Sequence, residues 1–184
     1  MKILLILFII FSLVFFVTNQ QNTFSKDILI PETQRPSYLE NTPSGSPFRG
    51  AYQITAYFHD KGYFQTFHHD HTGIDLIPLT SPHEPTTNPV LLHATISGIA
   101  TWYHEACSGS AVIITNDTYT VYMGHIASYL VQNNTAVKKD QNVAIMGKSG
   151  QPACITGPHV HYQLYNRIKG RMILIDPLPY LQHK

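Results

Sequence analysis

Short runs in which apolar and polar residues alternate recur along the chain from residue 48 onward, and most of them are bounded by Gly, Pro, Asn or Asp. Alternation with a period of two is typical of β-strands, which also favour β-branched and aromatic residues. The pattern predicts strands over residues 53–58, 90–94, 98–103, 111–115 and 119–123. Asn116-Asp117 is typical of the turn of a hairpin formed by the last two of these strands.

Helical periodicity is scarce in the same region, where residues 128–132 form the one candidate, a single short helix. An α/β enzyme would need longer helical segments between its strands. We therefore expect a mainly β protein with a single domain built on an antiparallel β-sheet, over residues 48–184. That length is sufficient for one hydrophobic core.

The N-terminal residues have the composition of a targeting segment. Residues 3–17 carry no charge and follow Lys2, and this length suits a secretory signal better than a spanning helix of about 20 residues. Since no clean small-residue cleavage site follows, we predict that residues 1–18 are either a signal peptide or an N-terminal membrane anchor. Both alternatives place the rest of the chain in the cell envelope or outside the cell.

Residues 19–47 are rich in proline and polar residues and show no sustained periodicity. They are predicted to form a linker or a short pro-segment. A linker would space the domain from the membrane, whereas a pro-segment could fold back over the functional site.

The charge balance argues against nucleic acid as a partner. The chain has 12 Lys and Arg against 11 Asp and Glu, a formal net charge of +1, so it offers no excess of cations to neutralise phosphates. It also has no glycine-rich phosphate-binding loop.

Two short motifs carry the candidate chemistry: His71-Thr72-Gly73-Ile74-Asp75 and Gly157-Pro158-His159-Val160-His161. In a strand, residues two apart point to the same face, so His159 and His161 should project side by side while Val160 packs into the core. Gly73 should let the chain bend so that His71 and Asp75 aim at one point. Two nitrogens, one oxygen and an open position are typical of a catalytic zinc site, with one imidazole left over.

The residues alone leave the ligand set open. His68, His69 and His71 could each supply the first ligand, and His125 is a further imidazole between the two motifs. A fourth protein ligand from His125 or His159 would instead close the site and make it structural.

These motifs resemble those of the lysostaphin and LytM family of zinc metallopeptidases, which cut peptide bonds in bacterial peptidoglycan. The resemblance extends from about Phe48 to Gln182, and it includes Tyr122-Met123-Gly124-His125, the stretch 137–147, and Asp176-Pro177 near the end. It implies the duplicated hybrid motif fold of that family, in which loops around an antiparallel sheet form a zinc cleft.

Carried over residue by residue, the resemblance implies that His71, Asp75 and His161 bind zinc, and that His159 and His125 are catalytic. We expect His159 to act as the general base. We expect His125 to share the proton transfer or, when protonated, to stabilise the oxyanion. Relatives often have a tyrosine before the first histidine that helps the oxyanion, and here Tyr63 is the candidate.

The function that the resemblance implies is zinc-dependent hydrolysis of a stem-peptide or cross-bridge bond by a monomeric enzyme. The alternative is a non-catalytic LytM-like regulatory module that binds zinc and activates a cell-wall hydrolase. Some relatives of this kind lack metal ligands, whereas this sequence keeps all the ligand and histidine positions, so the enzyme is favoured.

The remaining predictions concern loops. Cys107 and Cys154 are the only two cysteines, and in an exported chain they are expected to form a disulfide. The family places both in loops around the cleft. His68 and His69 are expected at the cleft rim. The other histidines are expected to face solvent or to make hydrogen bonds in polar surroundings: His59, His83, His93, His104 and His183.

Overall fold

The computed structural model of the protein describes residues 40–81, 84–85 and 89–181. The predicted signal peptide or anchor, most of the predicted linker, His83 and His183 lie outside these ranges. Among the described residues, no helix has the length and apolar character needed to cross a membrane.

Strands dominate the described chain, with two short helices. The elements in chain order are β1 (Tyr52–Ala56), α1 (Lys61–Phe67), β2 (Ile74–Ser81), β3 (Glu84–Pro85), β4 (Leu91–His93), β5 (Gly98–Glu105), β6 (Gly109–Thr115), β7 (Tyr119–Met123), β8 (Ile126–Tyr129), β9 (Thr135–Val137), β10 (Asn142–Met146), β11 (Val160–Ile168), β12 (Arg171–Ile175) and α2 (Leu178–Leu181).

The strands form two antiparallel sheets. The larger has nine strands, in the order β1-β2-β11-β7-β6-β5-β9, with β12 paired to β11 and β3 paired to β2. The smaller has the order β4-β10-β8. The mainly β, single-domain antiparallel architecture predicted from the sequence is therefore confirmed.

Alternation along the central strand β11 separates the two faces of the larger sheet. Val160, Tyr162 and Leu164 are at most 1% exposed and belong to the hydrophobic core. That core also contains Leu92 of β4 and Val143 of β10, so it is shared with the smaller sheet. Since successive strand residues point to opposite faces, His161 and its alternate neighbours lie on the other face, which is free to form the floor of a cleft.

The residues just before β1 pack against this body. Ser46 and Phe48 are 2% and 1% exposed. The amide of Gly45 donates to the carbonyl of Tyr180 at 2.9 Å, and the carbonyl of Pro47 accepts from the amide of His93 at 3.0 Å. The last residues of the predicted linker are thus folded onto the domain.

One predicted element is wrong. Residues 126–129 form the strand β8, where a short helix was expected over 128–132. Tyr129 pairs with Ala144 and Ser128 with Ile145 in the smaller sheet. Pairing with β10 overrides the weak local preference for helix.

The helix α1 was not predicted, because it buries no residue and so has no apolar stripe along its length. Its start is fixed by Asp60, whose Oδ1 accepts a hydrogen bond from the amide of Tyr63 at 2.9 Å. It ends at His68, which adopts a left-handed conformation.

Candidate functional site

Three side chains on neighbouring elements bring their polar atoms to one point. Asp75 of β2 lies directly opposite His161 of β11 in the strand register, and His71 precedes β2. Asp75 Oδ1 is 2.9 Å from His161 Nδ1 and 3.1 Å from His71 Nε2, and the two nitrogens are 3.1 Å apart. The three residues are between 1% and 9% exposed, so the cluster is largely shielded from bulk water.

The turn between His71 and Asp75 requires a glycine at position 73, because the surrounding atoms leave no room for a side chain. A Cβ at this position would lie 2.6 Å from the carbonyl oxygen of Tyr162 and 2.9 Å from Cε1 of His161. We expected its backbone freedom to matter, but Gly73 is not among the residues with positive φ. The absence of a side chain is what lets the first motif approach β11.

His71 is held in one orientation by the backbone. Its Nδ1 lies 2.6 Å from the carbonyl oxygen of Tyr57, which can only accept, so Nδ1 carries a hydrogen. In the neutral ring the lone pair is therefore on Nε2, which faces the cluster. The ring of Tyr63 stacks on His71, with centroids 4.1 Å apart. Tyr63 thus covers His71 from α1.

His125 and His159 face each other beside the cluster, with ring centroids 4.6 Å apart. Nδ1 of His125 donates to the carbonyl of Ser149 at 2.9 Å, and Nδ1 of His159 donates to the carbonyl of Gly157 at 2.9 Å. In both rings the lone pair is therefore on Nε2. Nε2 of His159 is 3.6 Å from Asp75 Oδ1.

The backbone of His125 is itself unusual, because this non-glycine residue has φ of 62°. Left-handed conformations of this kind cost energy and cluster at functional sites. The conformation turns the side chain from the end of β7 toward the cluster.

Burial and charge set the protonation of the site. Burial raises the pKa of Asp75, but hydrogen bonds from His161 and His71 outweigh it and hold that pKa below its ordinary value. Burial lowers the pKa of His161, and it lowers that of His125 to about 4. Burial raises the pKa of Tyr122 to about 12. Burial lowers the pKa of His71, but the hydrogen bond and the charge of Asp75 outweigh it and raise that pKa above its ordinary value. The Asp75 carboxylate thus favours the charged form of His71, while burial favours the neutral form of His161.

A cleft runs over the cluster in two halves, with volumes of about 450 and 400 Å³. His161, His125 and Tyr63 line both halves. The first half is floored by the larger sheet, through Ile113, Tyr122, Gln163 and Tyr165, and the second contains His159 and Asp75. A chain lying along the cleft would therefore pass over the cluster at its middle.

Cys107 and Cys154 are joined by a disulfide with a Cα–Cα distance of 5.5 Å. It links the loop between β5 and β6 to the loop between β10 and β11. Both cysteines line the first half of the cleft, and Cys154 also lines the second. The amide of Gln151 donates to the carbonyl of Cys107 at 3.1 Å, so the two loops form one wall.

The other histidines lie outside the cluster. His69 lines the first half of the cleft, and exposed His68 ends α1, so neither belongs with His71 to the candidate metal-binding group. His59 contacts Asp70 through Nδ1 at 2.5 Å, and His104 lies 3.2 Å from Ser110 Oγ. His93 lies in β4 and is only 8% exposed, so it does not face solvent, and its Nε2 is 3.9 Å from Asp140 Oδ1.

Sequence reasoning missed the residues that contact the side chains of the site and orient them, above all Gln163, whose Nε2 lies 3.0 Å from His161 Nε2. Its position two residues after His161 was a usable signal, because alternation places both on one face of β11. Tyr57, Ser149 and Gly157 act through backbone carbonyls, which no side-chain pattern reveals.

The donor set fits a zinc ion. Within the described part of the chain, His71, Asp75 and His161 form the group that could hold a metal, with ligand atoms within 4.8 Å of one another. Ligand atoms bound to one tetrahedral zinc at about 2.0–2.2 Å lie roughly 3.3 Å apart. The separations of 2.9 to 3.1 Å therefore need to open only slightly.

Known proteins resemble this chain in sequence and in fold. The chain is 27% identical over 104 residues to the peptidoglycan DD-endopeptidase ShyA of Vibrio cholerae, which covers 56% of this chain and 21% of that protein. The chain thus spans about a fifth of the length of this curated relative.

Two solved structures have a similar fold. A zinc containing peptidase from Vibrio cholerae aligns over 79% of this chain and 41% of its own, with a TM-score of 0.55 and 24% identity. The antimicrobial peptidase lysostaphin from Staphylococcus simulans aligns over 75% of this chain and 54% of its own, with a TM-score of 0.52 and 19% identity.

The match to a family covers the site itself. Residues 69–174 match peptidase family M23, and this range is more than half of the chain. It contains both motifs and His125, along with the strands that position them. The chain therefore belongs to peptidase family M23.

Proposed function

We propose that this protein is a zinc-dependent metalloendopeptidase that hydrolyses peptide bonds of bacterial cell-wall peptidoglycan. Peptidase family M23 is zinc-dependent, and relatives named for peptidoglycan hydrolysis support the substrate class. The observation that carries the proposal is the pair His125 and His159, both with the Nε2 lone pair free, beside a three-ligand cluster at the middle of a cleft.

His71, Asp75 and His161 would hold the zinc. When bound, zinc acts as a Lewis acid that polarises the scissile carbonyl and makes water a nucleophile near neutral pH. The remaining steps belong to side chains of this chain.

His159 is the general base in this account. Its Nε2 accepts the proton of the attacking water, while Nδ1 keeps its hydrogen on the carbonyl of Gly157. Nε2 of the resulting His159 imidazolium lies 3.6 Å from Asp75 Oδ1, and the negative carboxylate stabilises the positive charge of the ring. The same proton then passes from Nε2 to the leaving amine.

His125 and Tyr63 complete the site. His125 is fixed by Ser149 so that its Nε2 acts as an acceptor, which suits a share in proton transfer better than the cationic oxyanion role. Tyr63 lines both halves of the cleft, and its hydroxyl is therefore the candidate hydrogen-bond donor to the oxyanion.

The cellular setting is part of the proposal. A peptidoglycan substrate requires export, which agrees with the uncharged run of residues 3–17 as a signal peptide or membrane anchor. We propose that the protein acts as a monomer, since both halves of the cleft are built by one chain.

Two histidine variants of the full chain test the assignment of roles. His161→Ala should lose zinc and hydrolysis together, whereas His159→Ala should keep one zinc per chain and lower kcat by about 10²–10⁴-fold. Zinc content is measured by elemental analysis, and hydrolysis by release of fragments from peptidoglycan. His104→Ala, an exposed histidine of β5, is the matched control and should behave as the wild type.

The outcomes separate the candidate functions. Full hydrolysis by His159→Ala would refute the role of the base. Zinc binding by a wild-type chain without hydrolysis of any peptidoglycan would favour the regulatory module over the enzyme.

A further inference from the structure

The first half of the cleft combines carboxylates with aromatic rings. The carboxylates that line it are Asp70 and Glu105, and among the described residues no Lys or Arg lines either half. Asp70 Oδ2 already lies 2.5 Å from Nδ1 of His59. Glu105 instead contacts hydroxyl groups and forms no ion pair with another described residue.

We propose that Glu105 is a specificity-determining residue that binds a protonated amine of the substrate peptide in the first half of the cleft. This role rests on the proposed function, since it requires a peptide to lie along the cleft. It assigns a substrate group that the metal cluster does not contact.

Two hydroxyl groups hold the Glu105 carboxylate in place. The hydroxyl of Tyr103 donates to Oε2 at 3.1 Å, and the hydroxyl of Ser108 donates to Oε1. Each carboxylate oxygen can accept more than one hydrogen bond, so both keep the capacity to accept from an N–H group. Because the two anchoring groups are neutral, they leave the negative charge of Glu105 without a counter-charge.

Strand alternation places the carboxylate on the cleft side of the larger sheet. Tyr103 and Glu105 are two residues apart in β5, so they share a face, and both line the first half of the cleft. Ser108 Oγ lies 2.9 Å from the hydroxyl of Tyr122, and the ring of Tyr122 has its centroid 6.2 Å from that of His161. One serine hydroxyl and one tyrosine ring thus separate Glu105 from the metal cluster. An amine at Glu105 would therefore belong to a residue near the scissile bond.

The surroundings of Glu105 are fixed before any ligand arrives. Glu105 pairs with Gly109 where β5 and β6 meet. The disulfide between Cys107 and Cys154 ties the intervening loop to the loop between β10 and β11. A carboxylate that is already held in place loses less conformational entropy on binding than a free side chain does. The site is therefore preorganised for its ligand.

Aromatic rings beside the carboxylate favour an ammonium group as this ligand. Tyr103, Tyr122 and Tyr165 all line the first half of the cleft, and the rings of Tyr103 and Tyr122 lie edge to face with centroids 6.1 Å apart. Aromatic faces attract organic cations. A metal ion would instead need several ligand atoms close together, and within the described part of the chain Glu105 belongs to no such group.

Removing the charge of Glu105 without changing its shape tests the role. In Glu105→Gln the side-chain amide can still form hydrogen bonds with both hydroxyls, but it carries no charge. The bond between a carboxylate and an ammonium is charge-assisted, and solvent in the open cleft weakens it. We therefore expect a loss of about 5–30-fold in kcat/KM for peptides with a free amine.

Asp117→Asn is the matched control, because it makes the same chemical change at an exposed aspartate between β6 and β7. It should leave kcat/KM unchanged. The probes are cross-linked peptides with free amines, released from peptidoglycan by a muramidase, and the same peptides after acetylation of those amines, which removes their positive charge.

Kinetics on the two probes separate recognition from a structural effect. The wild type should cut the untreated peptides with a kcat/KM about 5–30-fold above that for the acetylated peptides. Glu105→Gln should cut both probes about as well as the wild type cuts the acetylated one. A structural effect of the substitution would instead lower kcat/KM for both probes.

Affinity provides a readout that does not depend on hydrolysis. Calorimetry with zinc-loaded His159→Ala, which should not cut, measures the binding of both probes with Glu105 intact and with Glu105→Gln added. The untreated peptides should bind about 5–30-fold more tightly than the acetylated ones only where Glu105 is intact.

An affinity that does not fall on acetylation would overturn the role of Glu105, and so would a preference that persists in Glu105→Gln. If Glu105→Gln does not fold, the two probes on protein with Glu105 intact decide. A protein that binds the untreated probe preferentially but whose wild type cuts neither probe would contradict the proposed function alone. A wild type that cuts both probes equally well would contradict the role of Glu105 alone.

Discussion

At the scale of single residues, the site depends on which nitrogen of each imidazole carries its hydrogen. Backbone carbonyls fix this for His71, His125 and His159, and so make the lone pairs converge on the cleft. The two motifs predicted His159 and a first histidine among His68, His69 and His71, and the family resemblance added His125 and the choice of His71. Their anchors could not be predicted, because backbone carbonyls become available only once the loops have folded.

Tyr63 gives a prediction at this scale. Tyr63→Phe should keep the ring stacked on His71 and the zinc bound, but lower kcat by about 10²–10³-fold, because the oxyanion loses a donor. Steady-state kinetics on a peptide substrate measure the loss. Tyr57→Phe, at an exposed tyrosine, should retain wild-type kinetics. An unchanged kcat in Tyr63→Phe would remove the hydroxyl from the mechanism.

At the scale of elements, strand pairing assembles the site from distant parts of the chain. Asp75 and His161 are 86 residues apart in sequence, and the pairing of β2 with β11 sets them face to face. Alternation at the start of β11 could be predicted from His159-Val160-His161, and the buried Val160 agrees with it. The order of the strands across the sheet could not be predicted from alternation, because it depends on contacts between segments far apart in sequence.

Errors in the predicted elements have a common cause. The strand β8 and the helix α1 are both short, and their local patterns are weak. Pairing with β10 stabilises β8 as a strand, and the capping hydrogen bond of Asp60 fixes the start of α1. Long-range pairing and a single capping side chain leave little trace in hydrophobic periodicity.

The close approach of the first motif to β11 is testable by adding one methyl group. Gly73→Ala would place Cβ against the carbonyl of Tyr162 and the ring of His161, so those groups must shift by several tenths of an ångström. We expect a folded protein, destabilised by about 1–3 kcal/mol as for other overpacked sites, that binds zinc more weakly.

Chemical denaturation and chelator competition measure these two effects. Gly62→Ala in the exposed helix α1 is the control, because its Cβ would meet only the Oδ1 of Asp60, at 3.2 Å, and alanine favours the helix. Its zinc affinity should not change. Wild-type zinc affinity in Gly73→Ala would show that the site tolerates a wider gap between β2 and β11.

At the scale of the whole molecule, two sheets share a core and leave one face of the larger sheet free for the cleft. The disulfide joins the two loops that form one wall of this cleft. The alternation and length of the chain predicted a single β domain, and its two cysteines predicted a disulfide. The continuity of the cleft across both motifs became evident only in three dimensions.

Replacing Cys107 and Cys154 together by alanine tests the contribution of this bond. The bond closes a loop with a sequence separation of 47 residues. Such a loop corresponds to about 4 kcal/mol of stabilisation in the chain-entropy model. We expect a lower denaturation midpoint with the zinc site intact, because no ligand lies in either loop. An unchanged midpoint would mean that the noncovalent contacts of the wall suffice.

The most direct test of the central claim is digestion of purified peptidoglycan by the full chain, with and without a zinc chelator, followed by mass spectrometry of the released fragments. The account predicts cleavage between amino acids that stops with the chelator and returns when zinc is restored. Cleavage that persists in the chelator, or fragments cut only within the glycan, would contradict it.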